Sequence, residues 1–156
     1  MPTLGIILVA TGDYYRRLAE RCILHVREVE PEIQVHAFVD DADDMQGFPK
    51  TTYQSLSDPA FSWDDKIDAI SQTPFECTIY LDADCVPIAP FAQDISQALE
   101  HVDILARPGM GFNLEWEREV GGTVIDQFNT GVIAFNSSKC ASLFQTWKNL
   151  RLEDQR

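Results

Sequence analysis

The sequence predicts an α/β domain with a Rossmann-like, mainly parallel sheet flanked by helices. Two observations carry this. Short apolar runs rich in β-branched residues alternate with stretches whose apolar residues step by three and four. Polar and acidic groups stand directly behind three of the runs, where parallel strand ends gather and ligands bind.

Leu4 to Val9 is a continuous apolar run, as suits a strand buried on both faces. Tyr15, Leu18, Cys22, Val26 and Val29 then mark one face of a helix. Asp13 is placed to cap its first turn, and Pro31 follows its end. Gln34 to Val39 reads as a second strand, closing on Asp40. The stretch from Asp40 to Lys50 is acidic and turn-like. Trp63, Ile67 and Ile70 form a short helical stripe ending before Pro74. Cys77 to Leu81 is another buried-type strand, stopping at Asp82. Phe91, Ile95, Ala98 and Val102 give a third helix, followed by a strand from Asp103 to Ala106. Residues 107–123 hold four of the eight glycines and a charged middle, Glu115 to Glu119. They read as a long loop, a common place for function. Val132 to Phe135 is the last strand, and Cys140, Leu143, Trp147 and Leu150 mark the last helix.

The 156 residues suffice for one core, with 45% hydrophobic and 24% charged residues. The net charge of −13 disfavours binding nucleic acid through its phosphates, which needs clustered Lys and Arg. An anionic ligand would need a local cation, such as a metal ion. No basic segment with a cleavage pattern opens the chain, and no apolar run nears the ~20 residues that span a bilayer. Cys22, Cys77, Cys85 and Cys140 form no CxxC pair and no zinc-like cluster with His25, His36 or His101. They read as small buried residues of a cytoplasmic protein.

Three groups sit at predicted strand ends: Thr11-Gly12-Asp13, Asp40, and Asp82-Ala83-Asp84. The last carries the most chemistry. Two carboxylates in a turn can reach one hard cation, Mg²⁺ or Mn²⁺, that also takes phosphate oxygens. The run Asp40 to Asp44 fails as an EF-hand loop, since Met45 falls on a ligand position and no Gly or Glu lands correctly. Apart from Asp40 it reads as a solvated loop. Gly12 permits a close backbone approach. Tyr15 is also explained as core, and Lys66 as a surface lysine.

The runs Trp63 to Ile70, Thr73 to Glu76 and Thr78 to Cys85, followed by Phe128 to Asn136, resemble the nucleotide-diphospho-sugar glycosyltransferases of the GT-A fold. They are most similar to glycosyltransferase family 8, the glycogenin and lipopolysaccharide galactosyltransferase group. The resemblance implies that Asp82 and Asp84, flanking Ala83, hold a divalent cation, usually Mn²⁺, on the diphosphate of a UDP-linked donor. It implies that Thr11 and Tyr15 hold the nucleoside, with the Tyr15 ring against the base; Gly12 and Asp40, at their strand ends, are further donor-binding candidates. Lys66 would stand near the donor sugar and phosphate, and Asn129, Thr130 and Gly131 would line the sugar and acceptor side. Asp154, in Glu153-Asp154-Gln155, would contact the sugar in transfer. The acceptor is an unspecified glycan, lipid-linked sugar or protein.

Family members continue beyond this length and carry a later His as third metal ligand, whereas this chain has no histidine after His101. The expectation is therefore one donor-binding domain over residues 1–156, cut short at the C-terminus. Two alternatives stay open. One is an inactive nucleotide-sugar-binding domain. The other is a haloacid-dehalogenase-type phosphatase, which also uses Asp-x-Asp after a strand and a Val at the position of Val86.

Overall fold

The computed structural model describes residues 3–62, 64–108 and 128–154, with side chains as far as residue 150. Trp63 and most of the glycine-rich stretch, residues 109–123, lie outside the described residues.

Among the described residues six strands form one sheet: β1 (Leu4–Ala10), β2 (Gln34–Val39), β3 (Thr51–Ser55), β4 (Cys77–Asp82), β5 (Ile104–Pro108) and β6 (Phe128–Asn136). Their order is β3-β2-β1-β4-β6-β5. The four strands from β3 to β4 run parallel, while β6 is antiparallel to both β4 and β5. The sheet is mixed but mostly parallel, as expected, with β6 as the reversed strand.

Four helices are described: α1 (Asp13–Val29), α2 (Asp64–Ser71), α3 (Ala92–Leu99) and α4 (Ser137–Asp154). They cover both faces. Ile6, Leu8 and Ala10 of β1 point into a core shared with Ala19, Cys22, Ile23 and Val26 of α1 and Leu99 of α3. Ile7 points the other way, into a core with Ala69 and Ile70 of α2 and Cys140 and Phe144 of α4. This two-sided burial explains the unbroken apolar run of β1. Each fully buried Ile, Leu, Val or Phe side chain among them contributes roughly 1.5–3 kcal/mol by leaving water.

The structure corrects three local expectations. Asp13 does not cap α1. Gly12 occupies the cap position at φ 86°, which favours glycine, and its N–H goes to Asp40 Oδ1 at 3.0 Å. Asp13 instead pairs with Arg16 one turn on. The buried face of α4 is set by Cys140 and Phe144, while Leu143 and Leu150 are exposed. Finally, β3 has no counterpart in the hydrophobic pattern. It is an edge strand of Thr, Thr, Tyr, Gln and Ser, held by pairing with β2 from Val35↔Thr51 to Val39↔Ser55.

Candidate functional site

The sheet registers assemble the site. Asp82 ends β4 opposite Val9 of β1. On its other side Leu81 pairs with Val132 of β6, so the reversed strand delivers Asn129, Thr130 and Gly131 to the edge where β1, β2 and β4 end. A cavity of about 330 Å³ opens there. Thr11 and Tyr15 line it from the β1 side, Asp82, Ala83 and Asp84 from the β4 side, and Lys66 from α2. Six of the residues singled out in the sequence therefore share one cavity.

Asp82 is the hub. Its Oδ1 accepts the Tyr80 hydroxyl at 2.6 Å and lies 2.8 Å from Lys66 Nζ. The Lys66 side chain is only 8% exposed, so it is no surface lysine. Its ammonium also donates to the Thr130 carbonyl at 3.2 Å and hydroxyl at 3.4 Å, and stands 4.8 Å from the Tyr80 ring centre. Burial, and next the neighbouring Asp82 carboxylate, raise the Tyr80 phenol far above its ordinary range, so it stays a neutral donor. Gly131 is required by close approach, since a Cβ there would stand 2.9 Å from Asp82 Oδ2. Asn129 Oδ1 accepts the Gly131 N–H at 2.8 Å and so fixes that segment.

Asp84 differs from Asp82. It is exposed on the cavity wall. Burial, then Asp82 and Asp84, raise the thiol of the adjacent Cys85 above its ordinary range, which keeps it protonated. Asp82 and Asp84 are the residues that could hold a hard cation, because Mg²⁺ and Mn²⁺ take one or two protein carboxylates and complete their shell with water and phosphate oxygens. Among the described residues no group of three or more His, Cys, Asp and Glu is placed to share a metal ion.

Thr11 and Asp40 serve the frame. The buried Thr11 hydroxyl donates to Asp65 Oδ2 at 2.9 Å. Asp40 does not line the cavity. Its Oδ1 takes the Gly12 N–H, and its Oδ2 takes Arg16 at 3.0 Å, fastening the end of β2 to the start of α1. Tyr15 is 54% exposed, so its place on an apolar helical stripe reflects the cavity and not the core. Asp154 is in the last turn of α4, and its side chain lies outside the described residues.

Sequence reasoning missed Asp65, Phe61, Ser62 and Tyr80. Asp65 is 3% exposed and accepts from Thr11, from the Ala60 N–H at 2.8 Å and from the Ser62 N–H at 3.3 Å. In sequence it reads as an ordinary acid in the first turn of a helix. Phe61 and Ser62 line the cavity from the loop that Asp65 holds.

No family model matches the sequence, and no curated protein does. Solved structures do share the fold. A galactosyltransferase, LgtC, solved with donor and acceptor sugar analogues, superposes with a TM-score of 0.67 at 14% identity, over 88% of this chain and 59% of its own. The bifunctional glycosyltransferase WbbM gives 0.65 at 12% identity, over 94% of this chain and 35% of its own. The glycosyltransferase GlyE of Streptococcus pneumoniae gives 0.59 at 18% identity, over 97% of this chain and 39% of its own. The chain thus spans between 35% and 59% of the length of these chains. Among the described residues no helix is long and apolar enough to cross a membrane. The strand order, the reversed β6 and these superpositions together identify the architecture as the GT-A fold of glycosyltransferases.

Proposed function

We propose that this chain is the donor-binding part of a metal-dependent glycosyltransferase that moves a sugar from a nucleotide-diphosphate donor, UDP-linked, to an acceptor hydroxyl. One observation carries the reading. Asp82 and Asp84 stand at the carboxyl end of a central strand, on the wall of a cavity that also holds Thr11, Tyr15 and Lys66. A carboxylate pair is a poor host for a diphosphate by itself, and a divalent cation between them reverses that.

In this reading Tyr15 lies against the base and Thr11 near the nucleoside. Asp82 and Asp84 would hold Mn²⁺ or Mg²⁺, whose charge stabilises the departing diphosphate. Lys66, already fixed at Asp82, adds a second positive group on that side of the cavity. Asn129, Thr130 and Gly131 border the sugar, and Asp154 is assigned to the sugar in transfer by the resemblance alone. The acceptor hydroxyl attacks an oxocarbenium-like carbon. Four free cysteines agree with a cytoplasmic protein.

The test is calorimetry with UDP in the presence and absence of Mn²⁺. Asp84→Ala is expected to abolish Mn²⁺-dependent binding, and an unchanged affinity would refute the site. An inactive nucleotide-sugar-binding domain is the second reading, because the same cavity would serve binding without turnover. Hydrolysis of UDP-sugars by this chain would exclude it. The phosphatase alternative lacks support, because Asp82 is engaged by Lys66 and Tyr80 and the pair follows β4, not the first strand.

A further inference from the structure

Phe61 combines three properties that rarely meet. Its backbone is left-handed, at φ 51°. That region costs a bulky L-residue energy and is held only where surroundings enforce it. Its ring is 62% exposed, so burial does not offset the strain. It also lines the cavity, beside Tyr15 and Ser62.

Asp65 enforces this conformation. Its two oxygens take the N–H groups of Ala60 and Ser62, the residues on either side of Phe61. The carboxylate is almost wholly buried, and it also holds the Thr11 hydroxyl behind β1. One acid therefore ties the arch that carries Phe61 to the strand end that carries Thr11. The ring stands close to Gly12, where an added Cβ would meet Phe61 Cδ1 at 3.8 Å. Tyr15 belongs to the first turn of the same helix. The cavity thus has aromatic rings on its α1 side and carboxylates on its β4 side, and with a divalent cation on those carboxylates it suits a ligand with a planar ring at one end and phosphates at the other.

We infer that Phe61 is a ligand-contacting residue that supplies a second aromatic face, besides Tyr15, for the base of a nucleotide, and that Asp65 is the residue that positions it. The inference rests on the nucleotide-sugar reading and adds a base contact to it. Stacking on an aromatic ring tolerates any base, so Phe61 sets affinity more than base identity.

The experiment compares the full chain with Phe61→Gly, Phe61→Tyr and Asp65→Asn. Calorimetry with Mn²⁺ present uses UDP, GDP and, as a probe without a base, pyrophosphate. Glycine accepts the left-handed backbone, so Phe61→Gly should melt no lower than wild type. It should bind UDP and GDP about ten-fold more weakly, in line with the loss of one stacked base, and leave pyrophosphate unchanged. Phe61→Tyr should restore nucleotide affinity. Asp65→Asn should weaken UDP, and its loss should not add to that of Phe61→Gly. Wild-type UDP affinity in Phe61→Gly, or a lowered melting temperature with pyrophosphate equally weakened, overturns the inference and leaves the nucleotide-sugar reading standing. Additive losses overturn the role of Asp65. Failure of the wild-type chain to bind either nucleotide overturns that reading, and the inference with it.

Discussion

Lys66 and Asp82 are joined across α2 and β4, with Nζ 2.8 Å from Oδ1, and the same oxygen takes the Tyr80 hydroxyl at 2.6 Å. The two carboxylates of the Asp-x-Asp are therefore unequal. Asp82 is held by a lysine and a phenol and is part of the frame. Asp84 is exposed at the cavity wall. A positioned carboxylate beside an accessible one is a preorganised way to take a cation, because only one side chain has to adjust.

Removing the ammonium tests that frame. Lys66→Met leaves Asp82 with the phenol on Oδ1 and breaks the tie from α2 to Thr130. Breaking a buried pair costs about 3–5 kcal/mol. The Asp82 side chain is 31% exposed, so water screens part of the loss. The expected cost is about 1–2 kcal/mol, or a melting temperature lowered by roughly 2–8 °C. In the double variant with Asp82→Asn the losses should fall short of additive. Thermal unfolding of the four proteins measures this, and additive losses would show that the pair contributes nothing.

The residues at the site divide by how they announce themselves. Asp82-Ala83-Asp84 was legible because a buried apolar run stops on an acid, a local signal of a strand end. The edge strand Thr51–Ser55 carried no such signal. It is set by its partner β2, and an edge facing water needs no apolar alternation. Asp65 was hidden because the first turn of a helix favours acids by itself, and only tertiary packing turns this one inward to Thr11. Phe61 was hidden for the same reason, since its conformation is imposed by a residue four positions on. The reversed strand β6 could not be read from an apolar run, because direction leaves no mark in a run of Val, Ile, Ala and Phe.

Gly5 predicts where the sheet has no slack. A Cβ at that position in β1 would stand 2.4–2.5 Å from three atoms of the Phe75 ring. The ring lies across the strand and cannot retreat without exposing the core that it covers, which includes Ile7 and Tyr80. Gly5→Ala should cost about 1–3 kcal/mol, as overpacking does. Adding Phe75→Leu should recover part of that loss. Urea unfolding of both variants measures it, and a neutral Gly5→Ala would mean that the ring moves freely.

Alkaline pH should destabilise the protein through groups that burial keeps protonated. Burial first, and then the Cys85 and Asp84 charges, push the Cys22 thiol from 9.0 to about 12. Burial and the Glu20 charge push the Tyr53 phenol from 10.0 to about 12. The unfolded chain therefore releases these protons at lower pH than the folded one. Their stabilisation is full below pH 9.0 and is lost as the pH rises towards about 12. Cys22→Ala should flatten the decline between pH of about 9 and about 10, before the tyrosine begins to contribute. Urea midpoints followed across that window report it, and an unaltered slope in the variant would remove Cys22 as a cause.

Gly131 links the fold to the chemistry most directly. Because β6 runs against β4, it brings its backbone beside the Asp82 carboxylate, and only a missing side chain leaves room. An alanine Cβ would stand 2.9 Å from Asp82 Oδ2 and 3.0 Å from Asn129 Oδ1. Asn129 is itself fixed on the Gly131 N–H, so the carboxylate must give way. Turning it strains the contacts of Oδ1 with Lys66 and Tyr80 and changes the aim of Oδ2 relative to Asp84. The substitution lies outside the main core, so global stability should fall by only about 1 kcal/mol. Mn²⁺-dependent UDP binding should fall about ten-fold or more, roughly 1.4 kcal/mol. Calorimetry beside thermal unfolding separates the two effects. Equal UDP affinity in Gly131→Ala and wild type would mean that the orientation of Asp82 is immaterial to the ligand, and Asp84 alone would then remain as the anchor of the cation.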